Sequence, residues 1–174
     1  AALKEVVDRG ELGKIELVQI TCRSQETPPM AYIGASGGQM RDQAIHFFDL
    51  LCWLTEDLPV EVYVMGDALA DPRIGEAGDV DTSIATLRMA SGALVQIDCT
   101  RRTGYGYDER VELFGAEGMA ESRRQPNRHL SIYKGSGQIS DGLHADWLKR
   151  IEPTFYAALD TFVCGLDGEQ VDYP

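Results

Sequence analysis

Neither GxGxxG nor GxxxxGKS/T occurs anywhere in the chain, so no glycine-rich turn is on offer to cradle nucleotide phosphates. Positive charge is scarce: 16 lysines and arginines stand against 28 aspartates and glutamates, a net charge of −12. That balance argues against nucleic acid and anionic membrane surfaces as partners, because both call for a basic patch. No apolar run approaches the ~20 residues of a membrane span, and no signal peptide is visible. Cysteine is sparse and unpaired in pattern. Cys22, Cys52, Cys99 and Cys164 form no CxxC motif and each sits among apolar residues, so they read as small buried hydrophobes of a reducing cytoplasm rather than as a zinc site.

What remains is an ordinary globular composition, 44% hydrophobic and 25% charged over 174 residues, enough for one domain with a real core. Residues 1–8 have helical spacing (Leu3, Val6, Val7) and stop at Arg9-Gly10. The chain starts inside this helix, so it reads as an excised domain whose residues 1–13 form a linker. Residues 15–23 alternate as a strand with Val18, Ile20 and Cys22 on one face. Pro28-Pro29, Gly34 and Ser36 mark 25–36 as a loop. Residues 40–54 read as a helix that is apolar nearly all round and therefore buried. Strands follow at 59–69, 80–90 and 93–101, the last two joined by a tight turn at Ser91-Gly92, with a loop at 71–79. A further pair, 105–114 and 119–124, flanks Gly115 and Gly118. Residues 129–134 read as a strand, 135–142 as a loop. Leu148, Ile151, Phe155, Leu159, Phe162, Val163 and Leu166 repeat at three and four as a closing helix, with Pro153 at its start or at a kink. Residues 165–174 are polar and turn-like.

This order predicts an α+β fold: a largely antiparallel (mixed) open sheet with helices packed on one face and the other face available for oligomerisation. Val60, Val62 and Val64 against Tyr63 and Met65 make one strand apolar on both faces, which favours a homo-oligomer.

The stretch GGQMRDQAIHFFDLLCW, residues 37–53, carries the chemistry. At ~100° per residue Asp42, His46 and Asp49 fall within an arc of roughly 60°, and Trp53 continues the stripe. Unpaired charges on a buried helix cost several kcal/mol. The stripe therefore either lines a wet cleft or has internal partners. Three uses fit the spacing. One is acid–base catalysis on a hydroxyl, with the imidazole taking a proton beside an orienting carboxylate. Another is a divalent metal held by Asp42, His46 and Asp49. The last is a satisfied polar stripe joining helix to sheet. Tyr105 and Tyr107, separated by Gly106, either line a polyol pocket or pack in a bent strand. His129 and His144 read as surface residues. Arg123, Arg124 and Arg128 read as a solvated edge.

At these stretches the chain resembles the C-terminal domain of the glucose–fructose oxidoreductase/inositol dehydrogenase family, closest to its myo-inositol 2-dehydrogenase branch. The family's Gly-Gly, Asp, His and Asp spacing is matched by GGQMRDQAIHFFD, and the branch's YGYDxRxExFGxxGM by YGYDERVELFGAEGM at 105–119. ALKEVVDRGELGKI and RIEPTFYAALDTFV resemble the family's flanking elements, so the likeness covers nearly the whole chain. It implies a substrate-binding and oligomerising domain of an NAD- or NADP-dependent dehydrogenase of a cyclic polyol or sugar. The cofactor is then bound mainly by an N-terminal Rossmann domain that this sequence lacks, together with the catalytic lysine of a Glu-Lys-Pro motif. By the resemblance His46 and Asp42 are the catalytic pair, Asp42 holding His46. Asp49, Tyr105, Tyr107 and Arg23 contact substrate, and no metal takes part. Phe47 stands where inositol-type members have a second acid. Arg23-Ser24-Gln25 stands where they read Arg-Asp-Pro, and the family's terminal helix is missing. The fragment alone is expected to be inactive.

Overall fold

Alternation every second residue builds the sheet. In the computed structural model, which describes residues 2–171, Val18, Ile20 and Cys22 of strand β1 (Ile15–Arg23) point to one face and are essentially sealed from solvent. Leu17, Gln19, Thr21 and Arg23 therefore take the other. The remaining strands of the sheet are β2 (Pro59–Asp67), β3 (Thr82–Met89), β4 (Leu94–Thr100), β5 (Asp108–Gly115) and β6 (Gly118–Ser122). They lie in the order β2-β3-β4-β1-β5-β6. β1 runs parallel to β4, pairing Val18 with Val95, Ile20 with Ile97 and Cys22 with Cys99. The other neighbours in this sheet are antiparallel. The result is the mixed α+β sheet that the order of elements foretells.

The inner face is covered by helix α3 (Ile45–Thr55), which sends Phe47, Leu51 and Leu54 into the cluster formed by Val18, Ile20, Val95, Ile97, Val111 and Leu113. Leu51 is fully buried, and truncating it to alanine costs about 2–5 kcal/mol. Helix α1 (Ala2–Asp8) adds Leu3, Val6 and Val7 at the edge of the cluster. The sequence overstates the burial of α3: Ile45 and Trp53 remain 49% and 40% exposed, so the helix buries one face only.

Three short elements interrupt expected loops. Helix α2 (Met30–Ser36) starts directly after Pro29, whose fixed φ suits a helix entry. Helix α4 (Pro72–Glu76) begins at Asp71, whose carboxylate accepts the Arg73 amide, with proline in the first turn. Strand β7 (Ser131–Lys134) pairs with β8 (Gly137–Ser140) as a separate two-stranded sheet. Ahead of α3, residues Met40–Ala44 form a π turn rather than α-helix.

The closing helix α5 (Trp147–Leu166) starts from the Asp146 side chain, which accepts the Lys149 amide, and carries Pro153 within it rather than at its start. It does not join the helices over the sheet. None of its residues is buried, and Phe155, Leu159, Phe162 and Leu166 are all more than 45% exposed. Its spacing is amphipathic, but most of its apolar face is left uncovered among the described residues. β2 is likewise exposed along its whole length, on both faces. Of the cysteines, Cys22 and Cys99 are buried as expected, whereas Cys52 and Cys164 are half-buried; all four are free thiols.

Candidate active site

The entry to α3 is shaped by glycine. Gly37 ends α2 in the left-handed region, and Gly38 follows at φ 91°, where a Cβ would press to 3.0 Å from an Asp79 carboxylate oxygen. That carboxylate accepts the Gln39 amide at 2.9 Å and so caps the π turn. A π turn takes more residues per revolution than an α turn, which swings Asp42 more directly behind His46. Such turns recur at functional sites.

Asp42, His46 and Asp49 do share one stripe. His46 and Asp49 are exposed and Asp42 is half-buried. The carboxylate of Asp42 is not hydrogen-bonded to the imidazole. Its Oδ1 accepts the Tyr32 hydroxyl from α2, and its Oδ2 lies 3.3 Å from Nη2 of Arg101. That hydrogen bond to Asp42 holds the Tyr32 phenol above its ordinary value, burial adding a little. Arg101 follows the end of β4 and is only 2% exposed. The same nitrogen lies 3.5 Å from Asp79.

Beneath His46, the sheet supplies groups that the sequence did not single out. Glu109 on β5 pairs across with Cys22 on the inner face. Burial pushes its carboxyl up, opposed by the charges of Arg150 and of His46. Arg150, from α5, reaches to 3.9 Å from Glu109. Tyr107 joins them: burial above all, then the neighbouring Cys22 and Glu109, holds its phenol well above 10. The Tyr107 amide donates to the His144 carbonyl at 2.9 Å, which ties the loop before α5 to this corner. Gly106, at φ 108°, allows that approach; a Cβ there would stand 2.9 Å from the same carbonyl. Glu109 was legible in principle, since it lies two residues beyond Tyr107.

Arg23 and Tyr105 are elsewhere, on the outer face. Arg23 forks onto Asp98, Nε to Oδ2 at 2.8 Å and Nη2 to Oδ1 at 3.2 Å, and donates to the Tyr105 hydroxyl at 3.3 Å. Tyr105 in turn donates to Asp108 at 2.9 Å. Asp108 also accepts from Arg110 and Arg124. Arg124 lies over the Tyr105 ring, 5.6 Å from its centroid, so it belongs to this network and not to a solvated edge. A hollow of about 430 Å³ opens here between Arg23, Ile84, Asp98, Arg102 and Tyr105. Arg123 and Arg128 do pair at the surface, with Glu121 and Asp141. His129 is exposed. His144 is half-buried, its Nδ1 lacking a hydrogen-bond partner among the described residues.

No three histidine, cysteine or acidic side chains among the described residues gather closely enough to hold a metal ion, Asp42, His46 and Asp49 included. The residues present do not fit a dinucleotide either. Gly37 and Gly38 follow a helix, whereas a pyrophosphate cradle needs a glycine turn between strand and helix. No described helix is long and apolar enough to cross a membrane.

The GFO/IDH/MocA C-terminal domain family matches residues 1–121. The chain belongs to that family. The matched span takes in the six-stranded sheet except the last residue of β6, together with the whole Asp42–His46–Asp49 stripe. Among individual family members, the myo-inositol 2-dehydrogenase of Thermotoga maritima is 37% identical over 161 residues, covering 92% of this chain and 48% of that protein. The inositol 2-dehydrogenase of Rhizobium meliloti is 34% identical over 166 residues, covering 95% and 50%. A crystal structure of a probable dehydrogenase from Thermotoga maritima superposes with a TM-score of 0.90 at 36% identity, covering 98% of this chain and 51% of that one. The chain thus spans about half the length of the curated relatives it matches.

Proposed function

We propose that this chain is the substrate-binding half of an NAD(P)-dependent oxidoreductase acting on a hydroxyl carbon of a cyclic polyol or sugar, of the myo-inositol 2-dehydrogenase type. The observation that carries this reading is the exposed stripe of His46 and Asp49 with Asp42 anchored one turn behind, in a chain whose relatives are named for inositol dehydrogenation. The cofactor, as hydride acceptor, belongs to a preceding Rossmann domain. What this chain's own residues do is bind the ring and manage a proton. His46 takes the proton of the reacting hydroxyl. Asp42, fixed by Tyr32 and Arg101, stands one turn behind His46 as its orienting carboxylate. Asp49 accepts from neighbouring hydroxyls, and Tyr107 offers its own hydroxyl beside Glu109. Glu109 brings an acid close to His46 from the strand, where Phe47 leaves none on the helix. Arg23 and Tyr105, on the other face, serve the outer network.

α3 presents His46 on open surface, so the second wall of the cleft comes from the Rossmann domain. Ile45 and Trp53 beside the stripe, and the uncovered face of α5, give that domain apolar area to dock on. The outer sheet face takes a second copy of the chain. Leu94, Phe114 and Met119 offer apolar contact there, and the amides of Gln19 and Gln96 can both give and accept hydrogen bonds across a two-fold axis. The composition suits a cytoplasmic enzyme.

The test is NAD⁺ and NADP⁺ reduction by the full-length protein over a panel of inositols and aldoses. Turnover of at least one cyclic polyol is expected, together with none from the 174-residue chain alone. A panel without turnover, or turnover by the chain alone, would count against the reading.

A further inference from the structure

Arg101 is the largest of the fully buried side chains, and it has no obvious structural use. Its Nε, Nη1 and Nη2 all lack a hydrogen-bond partner among the described residues, as does Oδ2 of Asp79. Its contacts with Asp42 at 3.3 Å and Asp79 at 3.5 Å are ion contacts too poorly aligned to count as hydrogen bonds. A guanidinium kept for stability alone would fork onto a carboxylate, as Arg23 does on Asp98. Burying five donors without such a partner is costly. What the arrangement does provide is a fixed positive charge between two acids, one on the π turn and one on the loop that caps it.

The surroundings make that charge rigid. The Arg101 amide donates to the Asp81 carbonyl at 2.8 Å. The Asp81 carboxylate is itself taken by the amides of Leu69, Ala70 and Asp71 and by the Thr82 hydroxyl. Gln39, fully buried, donates to the Asp81 carbonyl at 2.8 Å and accepts from Ser83 at 2.7 Å. Asp79 caps Gln39. From the rim, the Tyr32 hydroxyl holds the other oxygen of Asp42. Asp42 is thus gripped from below by a cation and from outside by a phenol, leaving the carboxylate one orientation relative to His46.

We propose that Arg101 is a positioning residue, a buried cationic brace that clamps Asp42 to Asp79 and thereby sets the carboxylate behind His46; the proposal rests on the dehydrogenase reading above. Arg101 touches no substrate. Its effect is exerted through Asp42, so it acts on turnover and not on ring binding.

The experiment compares full-length wild type with Arg101→Met, Arg101→Lys, Asp79→Asn and His46→Ala, by steady-state kinetics, thermal unfolding and the ring ¹H–¹⁵N signals of the histidines. Misplacing a catalytic group by about 1 Å costs on the order of 100-fold. Arg101→Met is therefore expected to lose about 100-fold in kcat with KM within about threefold, and Arg101→Lys to recover most of that loss. Asp79→Asn, which keeps side-chain shape, is expected to lose about 10-fold and decides the matter if Arg101→Met does not fold. The His46 ring signals should move in both folded variants, because the Asp42 charge one turn behind the ring moves with the brace, while those of the distant His129 stay put. The proposal is overturned if the folded variants keep kcat, or if activity falls only in step with the folded fraction and His46 signals do not move. Failure of the dehydrogenase reading looks different. There the wild type is inactive on every polyol, or His46→Ala is as active as wild type, and the His46 signals alone then decide for or against the brace.

Discussion

On the outer face of the sheet, the fully buried carboxylate of Asp108 accepts from Tyr105, Arg110 and Arg124, and Arg23 forks onto Asp98 beside it. On the inner side, past the end of β4, the Arg101 guanidinium sits between Asp42 and Asp79 without one well-aligned hydrogen bond. Both clusters hold buried charge, and β4 leads to both, carrying Asp98 and ending one residue before Arg101. The outer cluster is satisfied bond by bond, which is how a fold stabilises a surface that packs or is bound as a rigid unit. The inner one keeps charge close to an exposed imidazole at a cost in unmade hydrogen bonds, and such local costs concentrate where chemistry is done. On the function proposed above, hydrogen-bond satisfaction separates the structural network from the working one better than burial or residue type does.

The contrast can be broken by mutation. The largest effect belongs to His46→Ala in the full-length protein: a fall of about 10²- to 10⁴-fold in kcat, the usual worth of a general base. The melting temperature should be almost unchanged, since the side chain is exposed. Enzyme kinetics beside thermal unfolding will show whether the two separate. Next comes Asp108→Ala, which strands Arg110 and Arg124. Their side chains are 35% and 52% exposed and can rehydrate, so the cost is nearer 2 kcal/mol than the 3–5 of a sealed pair. That is a drop of roughly 4–8 °C in Tm, with kcat of the folded enzyme within about threefold. A larger loss of kcat than of stability would erase the distinction between the clusters.

Glu109→Gln should move the two properties in opposite directions. Burial raises the folded-state value of Glu109 above the ordinary 4.5, outweighing Arg150 and His46. Between 4.5 and that raised value the unfolded chain gives up its proton first, so stability is full below the window and falls as pH rises through it. Glutamine removes this term. The variant should match wild type near pH 4 and melt higher than wild type at neutral pH, while losing turnover. Thermal scans across pH check the sign. Smallest of all is Arg88→Ala, which breaks an open pair with Glu61, the two side chains 52% and 69% exposed. It should cost under about 0.5 kcal/mol and serves as the baseline for the rest.

Much of this was legible from residue spacing. Period-two alternation located β1, apolar runs bounded by turn signals located the other five strands of the main sheet, and period-three-and-four spacing put Asp42, His46 and Asp49 on one stripe. Partnership was not legible, because it depends on which strands become neighbours. The parallel β1–β4 pair brings residues about 75 positions apart together, such as Arg23 with Asp98. Tyr105 and Tyr107 stand two apart and would share a face on a regular strand. They precede β5, however, and Gly106 turns the chain between them, sending one to each side. The π turn leaves no mark in composition, since an extra residue per turn changes no apolar count. α2, α4 and β8 are too short for periodicity to register. The closing helix showed its amphipathic face plainly, but whether that face is covered depends on what it meets.

Which face of the sheet receives the ring is decided most directly by titrating myo-inositol into the isotope-labelled full-length protein and following shifts residue by residue. The expected result is a set of perturbed signals at His46, Asp49, Tyr107 and Glu109, with Arg23, Asp98 and Tyr105 unmoved. Saturable shifts confined to Arg23, Asp98 and Tyr105, with His46 silent, would contradict the placement of the chemistry on α3.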